Sequence, residues 1–221
     1  MKLGVLFSGG KDSTLATCIA KREGYEISCL ITIVSENKES FMFHTPSIKR
    51  TEEQSRSMGV PIIIKETKGD RESELIDLEA AIVIAKEKYQ IEGIVSGAVE
   101  SVYQASRIQR ICNNLGLECF NPLWQMNQIE LLGELVKNKF EVIVVGVFAY
   151  PLDGKFLGRK IDNKFIDEIT ELKERWGISP SGEGGEFESF VLNCPLFEEK
   201  LKIKSFKDIG EGSSWRREIV L

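Results

Sequence analysis

The chain has 221 residues, 42% of them hydrophobic, enough for one large α/β domain or a nucleotide-binding domain with a small appendage. Its net charge of −5 argues against a nucleic-acid partner, because gripping a phosphate backbone needs a basic excess; a small molecule or a protein fits better. No apolar run reaches the ~20 residues that span a bilayer, so no membrane partner is expected.

Met1-Lys2-Leu3 runs straight into an apolar strand, so no secretory signal is expected. Five cysteines (Cys18, Cys29, Cys112, Cys119, Cys194) include no C-x-x-C pair, which points to reduced thiols in a cytoplasmic protein rather than a disulfide scaffold or zinc ribbon. Lys2–Phe7 reads as a buried strand and Asp12–Glu23 as a helix with Leu15, Ile19 and Ala20 inward. Strands follow at Ile27–Val34 and Pro61–Lys65, separated by a helix over roughly Pro46–Met58. Leu75, Leu78, Ile82 and Ala85 step by three and four, predicting a helix over Glu72–Tyr89. Then come a strand at Gly93–Gly97, helices at Ser101–Leu115 and Gln128–Lys139, and a long apolar strand at Glu141–Ala149.

Apolar strands alternating with helices predict a doubly wound, mostly parallel sheet over residues 1–150, with Glu141–Ala149 among its strands. After Tyr150 the texture changes. A helix at Asp162–Trp176, a Gly/Glu-rich stretch, and strands at Phe190–Phe197, Lys200–Phe206 and near Arg216–Leu221 predict a smaller α+β subdomain over 151–221.

Between the first strand and first helix stands Ser8-Gly9-Gly10-Lys11-Asp12-Ser13. Such a turn presents free backbone N–H groups and the positive end of a helix dipole, a natural anion site. Paired glycines let phosphate oxygens approach the backbone, Lys11 adds a point charge, and Ser8 and Ser13 add donors. Asp12 makes sense beside phosphates mainly if Mg²⁺ lies between them. The spacing is not that of a Walker A loop, because Gly10 stands where that motif needs Lys.

This loop resembles the S-G-G-x-D-S pyrophosphate loop of the N-type ATP pyrophosphatases. The resemblance implies a HUP-type (adenine nucleotide alpha hydrolase-like) α/β fold, ATP as substrate, and adenylation rather than γ-phosphoryl transfer. A second segment, Gly182-Glu183-Gly184-Gly185-Glu186-Phe187-Glu188-Ser189, sets three glycines and three carboxylates ahead of a strand. The bland reading of such a stretch is a solvated acidic loop.

The segment instead resembles the G-E-G-G-E-[FY]-E-[ST] motif of the diphthine–ammonia ligases. Ser35-Glu36-Asn37, Phe41-Met42-Phe43-His44-Thr45-Pro46, Val95-Ser96-Gly97-Ala98, Tyr103-Gln104 with Arg107, Pro122-Leu123-Trp124 and Leu157-Gly158-Arg159 resemble the same family. The match runs in order from about Met1 to Ile203 and is similar to the short form typical of archaea; the last ~18 residues carry no assignable feature.

The family reaction amidates the diphthine carboxylate of elongation factor 2 with ammonia, through an acyl-adenylate, releasing AMP and pyrophosphate. The resemblance implies catalytic roles for Lys11, Asp12, Glu183 and Glu186, and ATP contacts from Ser8, Gly9, Gly10, Lys11, Asp12, Ser13, His44 and Gly97. It also implies acceptor contacts from Tyr103, Gln104, Arg107, Gly184, Gly185, Phe187 and Glu188, with Asp12 as the Mg²⁺ ligand. Ammonia is expected to enter free, and a homodimer is compatible with the sequence.

Each of these residues has a plainer reading. His44 fits an ordinary helix-entry histidine equally well, and Arg107 and Arg159 fit paired surface arginines. Phe187, with Tyr103 or Trp124, is a candidate cage for the trimethylammonium group of diphthine; the plainer role is core packing. Rival functions are tRNA thiolation or lysidine synthesis, adenylation of another carboxylate, and a non-catalytic ATP-binding module.

Overall fold

The computed structural model describes residues 1–36, 48–69 and 71–221. Five parallel strands form the first sheet: β1 (Lys2–Leu6), β2 (Glu26–Ser35), β3 (Ile62–Thr67), β4 (Gly93–Val95) and β5 (Glu118–Phe120). Their order is β3-β2-β1-β4-β5, so the winding reverses between β1 and β4. In open α/β sheets a crevice forms at that reversal, beyond the carboxyl ends of the strands.

Both faces of the sheet are covered, which explains why its strands read as apolar runs. Leu3, Val5, Leu30 and Val95 pack on one face with Leu15, Ala16 and Ile19 of α1 (Lys11–Arg22). Ile31, Ile33 and Ile94 pack on the other with Leu78, Ile82 and Ala85 of α3 (Arg71–Tyr89) and Ile108 and Ile111 of α4 (Val102–Leu115). Between the sheet strands, α2 (Thr51–Met58) follows a 3-10 turn at Ile48–Arg50. The helix signals are local: Ser101 caps α4, Asn127 caps α5 (Gln128–Lys137), and Asp162 caps α6 (Asn163–Trp176), each accepting a backbone N–H.

The remaining strands make a separate antiparallel sheet: β6 (Glu141–Val147), β7 (Phe187–Asn193), β8 (Ser205–Glu211) and β9 (Ser214–Val220), in the order β7-β6-β9-β8. Here the structure corrects an expectation. The strand expected at Glu141–Ala149 joins no parallel neighbour; it pairs antiparallel with β7 and β9. Its apolar run reports burial on both faces and says nothing of direction. Val142 and Val144 face the core shared with α1 and α5, while Ile143 and Val145 pack with Phe190, Leu192 and Ile219. The change of sheet therefore falls between β5 and β6, ahead of residue 150.

Two smaller differences have similar causes. β5 spans three residues, too short to show a period in the sequence. The strand expected over Lys200–Phe206 begins only at Ser205. Leu201 donates instead to the Leu192 carbonyl (2.9 Å), leaving the stretch before β8 irregular.

Candidate active site

A cavity of about 790 Å³ opens at the winding reversal, between the carboxyl ends of β1 and β4, and is walled on its far side by the antiparallel sheet. Residues 8–10 turn from β1 into α1, whose N-cap is Gly10 with no side-chain cap, so the helix keeps its first N–H groups for the cavity or its neighbours. Lys11 N–H goes to Ser189 Oγ (3.1 Å), tying α1 to β7. Ser8 and Ser13 hydroxyls sit 3.2 Å apart across the loop, and Ser13 Oγ donates to the Gly10 carbonyl at 3.3 Å.

Two glycines are required by what lies against them. Gly9 has φ +76°, and a side chain there would collide with the Gln54 amide. Gly97, just past β4, has no room because a Cβ would stand 2.7 Å from the Ser13 nitrogen and 2.9 Å from the Asp12 carbonyl carbon. Gly97 is thus where the helix N-terminus rests on the sheet. Gln54 was not legible as a site residue: fully buried on α2, its Nε2 donates to the Gly9 carbonyl (2.9 Å) and the Val191 carbonyl (2.8 Å). That amide, with the Val191 N–H on the same Gly9 carbonyl (3.1 Å) and the Lys11–Ser189 bond, holds the phosphate loop to β7.

Lys11 is 4% exposed, and its ammonium lies 2.8 Å from Asp12 Oδ2 and 5.6 Å from the centre of the Phe187 ring. Asp12 Oδ1 is buried with no hydrogen-bond partner among the described residues. Glu183 lines the same cavity and accepts from the Glu100 N–H at 3.4 Å. Burial first, and then the charge of Asp12, push its carboxyl up to about 7, with Lys11 pulling the other way.

The Gly/Glu stretch is pinned across the cavity. Gln128, first residue of α5, accepts from the Ser181 N–H and hydroxyl (3.1 and 3.0 Å) and donates to Glu100 (2.9 Å). Gly184, Gly185, Glu188, Tyr103 and Gln104 all reach the cavity wall. Leu6, Ile31, Ile33, Leu78 and Ile108 add apolar wall to the same cavity.

Several expectations are redirected by the structure. Glu186 does not line the cavity: its Oε1 accepts the Ser179 N–H (2.7 Å) and so braces the loop from behind. Arg107 stands behind Tyr103, its guanidinium 3.3 Å from that ring's centre and donating to the Tyr103 carbonyl. Arg159 pairs with Glu168 at 2.6 Å, stacked on Phe156 and Phe165 and away from the cavity. Phe187 lines the cavity but is covered by Lys11 on one side and by the edge of Phe165, 5.6 Å away, on another. Trp124 lies on a separate depression with Asn121 and Cys119, so the two do not form a cage. Gly9 sits behind the loop rather than on its cavity surface. His44 falls outside the described residues.

Sequence reasoning also passed over Ser96, Ser101, Phe148 and Arg216, all of which line the cavity. Arg216 comes from the last strand, a stretch without a recognisable motif.

Comparison with known proteins adds a family. The model of the diphthamide synthase N-terminal domain matches residues 1–119, and that of the diphthamide synthase C-terminal domain matches 127–217. The chain is 33% identical over 224 residues to a protein named diphthine–ammonia ligase from Rattus norvegicus, covering 92% of this chain and 83% of the relative. A namesake from Homo sapiens is 32% identical over 226 residues, covering 93% of this chain and 84% of that protein. A solved structure, the predicted subunit of tRNA methyltransferase from Methanocaldococcus jannaschii DSM, is 24% identical and covers 88% of this chain and 98% of that one, at TM-score 0.45. Two adjoining domain models, in order and nearly end to end, place both halves of this cavity in one lineage: the chain belongs to the diphthamide synthase family.

Proposed function

We propose that the chain catalyses the ATP-dependent amidation of the diphthine carboxylate on elongation factor 2, taking free ammonia and releasing AMP and pyrophosphate. The supporting observation is one cavity that joins an uncapped helix N-terminus and Lys11 to the carboxylates Asp12, Glu183 and Glu188 and to the apolar side chains Ile31, Ile33, Leu78 and Ile108. The family relatives, named diphthine–ammonia ligases, support the choice of acceptor.

Carboxylate and ammonia do not condense directly, because oxide is too poor a leaving group. An acceptor oxygen attacks the α-phosphorus of ATP and pyrophosphate leaves. Ammonia then adds to the acyl carbon, AMP departs with the C–O electron pair, and the nitrogen gives up a proton. Lys11 and the loop N–H groups hold the departing pyrophosphate, stabilising charge where it develops. Glu183, with a carboxyl near 7 on the cavity wall, is suited to take the proton from nitrogen.

The residues present also fit Mg²⁺. That ion usually takes one or two carboxylates and completes its shell with water and phosphate. Asp12 Oδ1 offers an unused buried oxygen on the cavity, and no cluster of three or more protein ligands exists among the described residues. Asp12 would hold the ion, which supplies charge neutralisation at the phosphates.

The test incubates the protein with ATP, Mg²⁺, ammonium and diphthine-bearing elongation factor 2. AMP and pyrophosphate should appear in step with conversion of the factor's carboxyl to an amide by mass. Lys11→Ala should lower that rate by roughly 100-fold or more, the scale of removing a transition-state charge contact, measured at a temperature where the variant is still folded. AMP formation without the mass change would overturn the acceptor assignment.

A further inference from the structure

The cavity holds two cations among its described lining residues, Lys11 and Arg216, against three carboxylates, Asp12, Glu183 and Glu188. Lys11 belongs to the phosphate loop. Arg216 arrives from the opposite side, on β9, the strand paired to β6 rather than to β7. Gly146 of β6 is partnered by Glu188 on one side and by Arg216 on the other, so the three share one row and one face. Gly146 has no side chain to fill that face. Since neighbouring strands lie about 4.8 Å apart, Arg216 starts about 10 Å from the strand that touches the phosphate loop.

The alternation of β9 explains why position 216 points inward. Trp215 and Arg217, on the other face, are both anchored. The Trp215 ring lies against Gly154, and its Nε1 donates to the Gly212 carbonyl (2.9 Å). Arg217 makes a two-pronged pair with Asp208 (2.7 Å each), stacks 3.9 Å from the centre of the Phe206 ring, and fills the space beside Gly158. Farther along, Arg50 Nε donates to the Ile219 carbonyl at 3.1 Å, tying the strand to the first domain. With 215 and 217 held on the opposite face of the strand, period-two alternation puts 216 on the face that Glu188 shares, where it lines the cavity. There its guanidinium carbon lies 5.3 Å from the centre of the Phe148 ring, itself a lining residue.

We infer that Arg216 is the residue that binds the acceptor's carboxylate. The inference rests on the carboxylate-activating reading above. A carboxylate entering a cavity already lined by three others is repelled unless a cation receives it. Lys11 lies in the phosphate loop itself, on the side of the cavity that the pyrophosphate takes. A planar guanidinium matches a carboxylate with two parallel hydrogen bonds, and stacking on an aromatic face limits its rotation. Arg216 also stands on the side away from the phosphate loop, where an acceptor must approach if pyrophosphate is to leave the other way. The C-terminal hairpin thereby acquires a chemical role: the anchored residues on either side of position 216 hold its arginine at the cavity.

The experiment compares wild type, Arg216→Ala, Arg216→Gln and Arg216→Lys. It measures KM for diphthine-bearing elongation factor 2 from the amide product, the affinity for a non-hydrolysable ATP analogue, and the melting temperature. Expected is a rise of roughly tenfold or more in acceptor KM for Ala and Gln, partial recovery with Lys, and analogue affinity within about twofold of wild type. Unchanged acceptor KM, or an equal loss of analogue affinity, overturns the inference while leaving the proposed function intact. Wild-type protein that fails to amidate the factor overturns both. If Arg216→Ala melts early, Arg216→Gln, which keeps a polar side chain and part of the aliphatic stem, decides the question.

Discussion

Glu183 shows how one side chain's chemistry is set by its surroundings. Asp12 and Lys11 face it across the cavity, and Glu100 donates its backbone N–H. The folded chain holds its carboxyl near 7 against an ordinary 4.5, so folding favours the protonated form. Its contribution to stability is complete below about 4.5 and is lost as the pH rises through 7. In nucleotide-free protein with metal chelated, Glu183→Gln should therefore melt above wild type at pH 8, with the gap closing towards pH 4.5. Thermal melts across that range check it; a gap independent of pH would contradict the burial of this carboxyl. The same substitution should slow amide formation, because glutamine cannot accept the nitrogen's proton.

At the scale of elements, the site depends on how closely α1 rests on the end of β4. Gly97 is the point of contact, with Ser13 and Asp12 backbone atoms where a Cβ would stand. Backbone does not swing aside as a long side chain does, so Gly97→Val must displace the start of α1 or the loop ahead of it. The expected cost is about 1–3 kcal/mol of stability, as for other overpacked sites, together with at least a tenfold loss of ATP-analogue affinity. Urea denaturation and analogue titration measure the two. Gly97 was legible as a site residue only through a family resemblance. The steric reason is tertiary, since 84 residues of chain separate it from Ser13.

For the molecule as a whole, the question is what joins a parallel sheet to an antiparallel one so that a single cavity has walls from both. Much of the joint is hydrophobic: Leu3, Val5 and Leu15 share a core with Leu131, Val142, Val144 and Val191. The polar part runs through Gln54, which binds the Gly9 carbonyl of the phosphate loop and the Val191 carbonyl of β7 together. Gln54→Ala removes that donor from both in a buried place, although Gly9 keeps the Val191 N–H. The expected loss is about 1–3 kcal/mol in a urea titration, with weaker analogue binding because the loop loses one of its tethers. A Gln54→Ala protein of wild-type stability would mean that the apolar core and the remaining Val191–Gly9 and Lys11–Ser189 bonds set the joint without it.

What the sequence by itself determined was local or periodic. The strand–loop–helix around Ser8–Ser13, the caps at Ser101, Asn127 and Asp162, and the apolar faces of α1, α3 and α4 follow from residue order and spacing, because hydrogen bonds and side-chain periods act within a few residues. The Gly/Glu stretch, by contrast, stood out as a candidate site only through a family resemblance, since its residues alone also read as a solvated acidic loop. Only the tertiary structure decided which sheet Glu141–Val147 joins, which carboxylates face the cavity and which brace it, and that Gln54 and Arg216 belong to the site. Strand direction, burial of one glutamate beside another, and contacts across 137 or more residues of chain are pairing and packing outcomes. No local spacing encodes them, because the partners meet only after both sheets have formed.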